Sequence, residues 1–141
     1  MKVRVMLVRE GRKEAPLEVS GPGSAFLFLR QKARNLDREH FWRLDLDARN
    51  RIIGYEVVSI GTLTASLVHP REVFVGALLQ KSAGVIIAHN HPSGSLKPSR
   101  QDIAITQHLR AAGDVLAINL LDHLIITRDG YFSFADSGWT G

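Results

Sequence analysis

A chain of 141 residues, 45% hydrophobic and 23% charged, suffices for one domain with its own core and has the profile of an ordinary globular protein. It has no cysteine, which excludes disulfides, thiolate metal sites and cysteine nucleophiles, and no apolar run near the ~20 residues a bilayer-spanning helix needs. Eighteen Lys and Arg against 14 Asp and Glu leave a net charge of +4, which raises the expectation of an acidic or nucleic-acid partner. The densest basic stretch, Arg30, Lys32, Arg34 and Arg38, falls on a predicted helix and is expected to be its solvated face.

Residues 2–8 alternate like a short edge strand and lack the apolar core of a signal peptide, so a cytoplasmic location is expected. Gly11, Pro16, Gly21, Pro22 and Gly23 break up a connection, and the N-terminal strand and loop are bounded at 1–23. Ser24 is placed to cap a helix carrying Phe26, Leu29, Ala33 and Leu36, opening the main body of the domain at 24–141. Residues 41–46 predict a strand, Ala48-Arg49-Asn50 a turn, and residues 51–60 the return strand. A second helix is predicted from Pro70 to about Ala83, with Gly84 as its closing residue. Val85–Ala88 is an unbroken apolar run, the pattern of a central strand buried on both faces. After a polar loop over 91–98, a third helix is predicted from Ser99 to about Ala112, closed by Gly113. Two strands over 115–121 and 124–127 follow, and Asp129-Gly130 predicts a hairpin turn into 131–134. The alternation of types implies a single α/β domain, a mixed sheet with about three helices packed on it.

The chemistry is concentrated between His89 and Asp102. His89 and His91 lie two residues apart at the end of the apolar strand, where side chains at i and i+2 share a face with Cα atoms ~6.5 Å apart. Two imidazoles can converge there on one ion, and the helix opening at Ser99 can bring in Asp102. Two His, one carboxylate and an open fourth position make up a hydrolytic Zn²⁺ site. Each piece also has an ordinary role: a His near a strand end is commonly a surface or core residue. Ser99-Arg100-Gln101-Asp102 also has the form of a capping box. Asn90 faces the other way and is expected to anchor backbone.

His-x-His, seven residues, then Ser-x-x-Asp resembles the JAMM/MPN metalloprotease signature without a gap. The longer string from His89 to Asp102, with Glu39-His40-Phe41, Leu44–Asp47, His69–Phe74 and Leu121-Asp122-His123, resembles the RadC family over about residues 24–137. The resemblance implies a cytidine-deaminase-like layout of helices on a sheet, with His89, His91 and Asp102 as zinc ligands. It implies Ser99 as a donor to the oxyanion of a tetrahedral intermediate. It also implies a glutamate base just after the first helix, the place held by Glu39; Glu56, within a strand, and Glu72, in a helix's first turn, rank below it. His40 is expected to point away from Glu39, and His123 to be a core or supporting residue without a catalytic role. RadC-like proteins commonly carry a helix-hairpin-helix segment ahead of this domain, and the expectation is of the catalytic-type domain alone.

The leading expectation is a zinc-dependent peptidase or isopeptidase acting on a protein or peptide substrate. The alternatives are a DNA-repair-associated or nucleic-acid-binding module without peptidase activity, and a metal-free relative used for protein contact. A nucleobase deaminase is excluded by the missing cysteines and the absent His-x-Glu.

Overall fold

The apolar run predicted as a central strand occupies the middle of the sheet. In the computed structural model, which describes Lys2 and residues 17–138, β3 (Gly84–Asn90) is buried at every position. The predicted strand over 2–8, apart from Lys2, lies outside the described residues. Antiparallel to β3 runs β1 (His40–Leu46), which pairs in turn with its hairpin partner β2 (Ile52–Ile60). On the other side β4 (Asn119–Ile126) lies parallel to β3, and β5 (Tyr131–Ser133) closes the far edge antiparallel to β4. Among the described residues the sheet is thus five-stranded and mixed, in the order β2-β1-β3-β4-β5.

Helices cover both faces, which is why β3 carries no polar alternation over most of its length. On one face α1 (Pro22–Ala33) sets Ala25, Phe26 and Leu29 against Trp42, Leu44, Leu46, Ile86, Ala88, Leu124 and Ile126. On the other, α2 (Pro70–Leu79) and α3 (Arg100–Leu116) bury Val73, Phe74, Ala77, Ile105 and Leu109 against Phe41, Val85 and Ile87. Strand alternation assigns His89 to this second face, together with Arg43 and Asp45 of β1.

Three boundaries differ from the sequence expectations. The first helix opens at Pro22 with Gly21 as N-cap; Ser24 sits inside the first turn, its Oγ accepting from the Ser20 and Gly21 N–H groups, and Leu36 lies past the helix end. Helix α2 stops at Leu79 because Lys81 takes the left-handed conformation (φ 57°), with Lys81 N–H donating to Leu78 O and Ser82 N–H to Ala77 O. Gly84 therefore closes no helix: it opens β3, where a Cβ would come within 3.2 Å of Leu121 and 3.3 Å of Asn119 O on β4. Helix α3 runs past Gly113 to Leu116 and ends at Ala117 (φ 58°). Gly113 is needed for close approach, since a Cβ there would lie 2.4 Å from Ile118 O. The predicted strand over 115–121 accordingly gives its first residues to the helix, and one strand, β4, replaces the two expected.

Candidate metal centre

The end of β3 and the start of α3 meet on the α2/α3 face. His89 is the penultimate residue of β3 and His91 follows just beyond it, held in line by His91 N–H donating to Ile126 O of β4 at 2.9 Å. The 91–98 loop then turns the chain so that α3 begins over the strand end. Ser99 caps α3: its Oγ accepts from Asp102 N–H at 3.0 Å, and its N–H donates to Asp102 Oδ2 at 2.7 Å. The capping box and the ligand position are thus one arrangement, because the reciprocal bond that starts the helix also aims the Asp102 carboxylate at the two imidazoles.

His89 Nε2 lies 2.8 Å from His91 Nε2 and 3.1 Å from Asp102 Oδ1, and His91 Nε2 lies 3.5 Å from Asp102 Oδ2. Zinc bonds of 2.0–2.1 Å at tetrahedral angles set ligand atoms about 3.3 Å apart, so these separations bracket what one ion needs. The hydrogen bonds on the far side of the rings decide the chemistry. His91 Nδ1 faces Ser95 O at 2.8 Å, and since a carbonyl only accepts, that nitrogen carries the proton and leaves Nε2 as a lone pair in the neutral ring. His89 Nδ1 faces His123 Nε2 at 2.8 Å. Lone pairs and a carboxylate converge on one point, and the three residues form a group able to hold a metal ion.

Electrostatics follow from the same contacts. Burial opposes ionisation of Asp102, but His89 and His91, which donate to it through Nε2 only when protonated, and Ser99 N–H hold its carboxyl well below the usual carboxylate range. The bond to Asp102 raises the pKa of His91 against the opposing effect of burial, and the Glu39 charge adds to the rise. Complete burial pushes His123 far below the ordinary imidazole value.

Glu39 lies half-buried between α1 and β1, and its charge is felt at His91. Its Oε2 accepts from Leu63 N–H at 2.9 Å. Asn90 holds the backbone on both sides of it: Oδ1 accepts from His40 N–H at 2.6 Å and Nδ2 donates to Arg38 O at 3.0 Å. The expected anchoring role of Asn90 thus has a particular object, the segment that presents Glu39. His40 stacks on Trp42, on the α1 face. Glu56 pairs with Arg43, and Glu72 stands in the first turn of α2. Beside His91 opens a cleft of about 550 Å³, whose lining includes Arg30, Arg34, Asn90, Arg128 and Asp129.

The family described as the RadC-like JAB domain matches residues 19–139, nearly all of the described chain. The chain belongs to the RadC family. Among RadC relatives, a UPF0758 protein of Symbiobacterium thermophilum is 48% identical over 127 residues, covering 88% of this chain and 54% of its own length. UPF0758 proteins of Methanosarcina mazei (46% over 127 residues; 90% of this chain, 56% of the relative) and Chlorobaculum tepidum (42% over 120; 85% and 54%) are similar. The chain spans about half the length of the curated relatives it matches, and their shared name states no activity. The five-stranded mixed sheet with its three helices is consistent with the JAB/MPN fold of that family.

The sequence reading of this RadC domain missed Thr106 and gave His123 only a general supporting place. Thr106, one helical turn after Asp102, had a readable i,i+4 relation to a candidate ligand; the partnership of His123 with His89 had no local signal.

Proposed function

We propose that this domain carries a zinc-dependent hydrolase centre of the peptidase or isopeptidase type, acting on a protein or peptide in the cytoplasm. The observation that carries this is the convergence of His89 Nε2, His91 Nε2 and an Asp102 oxygen, with the His91 lone pair exposed by its bond to Ser95 O. Zinc suits two imidazoles and a carboxylate, and would supply a water of lowered pKa and polarise the scissile carbonyl.

The protein groups have distinct tasks in this reading. Glu39, anchored through Oε2 to Leu63 N–H, keeps Oε1 to take the proton of the attacking water. Ser99 Oγ already accepts from Asp102 N–H, and its exposed hydroxyl has its proton to donate to the developing oxyanion.

Purified protein is expected to hold zinc near one equivalent, and His89→Ala to lose it. Zinc-free protein under non-chelating conditions would favour the contact-module alternative. Glu39→Gln is expected to keep the metal and lower peptide or isopeptide hydrolysis at least 100-fold, roughly the worth of a general base; full activity would remove Glu39 from that role. The nucleic-acid alternative has less support: Lys32 lies 4.4 Å over the Tyr55 ring and Arg30 5.8 Å over Phe26, intramolecular uses of both charges. A gel shift absent even at low salt would dispose of it.

A further inference from the structure

Behind His89 runs a chain of hydrogen bonds that begins on one candidate ligand and ends on another. His89 Nδ1 lies 2.8 Å from His123 Nε2; His123 Nδ1 lies 2.5 Å from Thr106 Oγ1; Thr106 Oγ1 lies 2.5 Å from Asp102 O. Every group in it is buried, His123 and Thr106 completely, and His123 is stacked on Phe134 at 4.8 Å with Phe41 edge-on at 6.1 Å.

The direction of every bond is determined from the far end. Asp102 O is a backbone carbonyl and only accepts, so the Thr106 hydroxyl spends its single proton there. Thr106 Oγ1 can then only accept from His123, which places the His123 proton on Nδ1. A neutral imidazole with Nδ1–H has a bare Nε2, and that lone pair accepts the Nδ1–H of His89. His89 is left with Nε2 unprotonated, pointing at His91 and Asp102. The reverse order would set the Thr106 and Asp102 oxygens against each other at 2.5 Å with no proton between them.

We propose that His123, backed by Thr106, is a positioning residue that locks His89 in the tautomer able to bind metal, and so sets the metal affinity of the centre without touching the ion. The lock also ties the two ligands together, since its last acceptor is the backbone of Asp102: a shift of α3 relative to β4 would disturb both at once. The inference rests on the metal-site reading above, and partners of this kind typically govern metal affinity roughly 10–100-fold.

The test uses the whole chain and has two independent readouts. In metal-free protein at a pH where the imidazoles are neutral, long-range ¹H–¹⁵N NMR is expected to find Nδ1–H on both His89 and His123; Nε2–H on either overturns the proposal. Zinc affinity is then measured by chelator competition, and Co²⁺ spectra recorded, for His123→Gln and His123→Asn. Gln sets an amide oxygen where Nε2 stood and keeps an acceptor for His89, whereas Asn reaches only as far as Nδ1 did. The expected result is parent-like affinity and spectrum for Gln, and for Asn roughly 10–100-fold weaker zinc with a shifted Co²⁺ spectrum. Equal affinity in parent, Gln and Asn overturns the proposal. If the Asn variant does not fold, the parent tautomers decide alone. Failure of the parent itself to bind zinc defeats the proposed function instead and leaves the tautomer readout standing.

Discussion

Two polar clusters lie on the same face of the sheet, buried except for Glu56 at the rim of the first and the half-buried His91 in the second, and they are satisfied in opposite ways. On β1, Arg43 Nε and Nη2 donate to the two Asp45 oxygens at 2.7 and 3.0 Å, and Nη1 donates to Glu56 and Val73 O at 2.5 and 2.7 Å. Donors meet acceptors within the protein, one guanidinium answering the buried Asp45 and the exposed Glu56; burial works to lower the Arg43 pKa, but Asp45 and Glu56 raise it. At the end of β3, three acceptors face one another, a group that among the described residues could hold a metal ion. A closed network stabilises the fold, while an open one with converging lone pairs is a candidate site. The comparison separates a self-contained network from a candidate metal group among polar residues on one face of the sheet.

The largest effect should come from breaking the closed cluster. Arg43→Met leaves Asp45 as an uncompensated buried carboxylate, at a cost of about 3–5 kcal/mol by chemical denaturation; a loss below about 1 kcal/mol would mean the pair is not held as described.

Completing the open cluster should have nearly as large an effect in the other direction. Zinc at a thousandfold over its Kd is expected to stabilise the protein by about 4 kcal/mol, read as a chelator-sensitive rise in Tm, and His89→Ala should abolish that rise. The metal competes with a proton on His91. Because the His91 pKa is raised, zinc affinity should begin to fall while pH is still above the ordinary imidazole value near 6.5. A titration that weakens only below that value would contradict the Asp102 hydrogen bond as its cause.

Asn90→Ala tests the clamp around Glu39. It strands His40 N–H and Arg38 O at a half-buried position, with an expected loss of about 1–3 kcal/mol and no change in zinc stoichiometry. Loss of zinc in that variant would tie the clamp to the ligands rather than to Glu39.

The smallest effect concerns Asp122, which accepts from Ser133 Oγ, His123 N–H and Ala135 N–H. Burial outweighs these bonds and raises its pKa. A raised carboxyl contributes stability that is full below its unfolded value near 3.8 and is lost as pH rises through the folded value. Asp122→Asn keeps the acceptor and removes the titration, so it should gain on the parent by about 1 kcal/mol or less between pH 4 and pH 7. A gain in the opposite direction would refute the burial cause.

Much of this was legible because it is local. The β3 run, the β1–β2 turn at Asp47–Arg51, and the His-x-His with its capping box are set by spacings of two to four residues along the chain. Two of the three differing boundaries share a cause: Gly84 and Gly113 read as helix stops, whereas both are glycine because another strand or turn presses on them. The left-handed stops were supplied instead by Lys81 and Ala117, residues that carry no stop signal of their own.

By itself the sequence determined the α/β class, the central strand and the residues of the candidate metal group, because backbone periodicity and a short loop suffice to bring His89, His91 and Asp102 to one point. Only the tertiary structure decided what stands behind them. The partner of His89 is 34 residues away on the neighbouring parallel strand, and Asn90 grips a segment 50 and 52 residues earlier. Such pairings are created when strands are laid side by side, and nothing in the local sequence encodes which strand will be the neighbour.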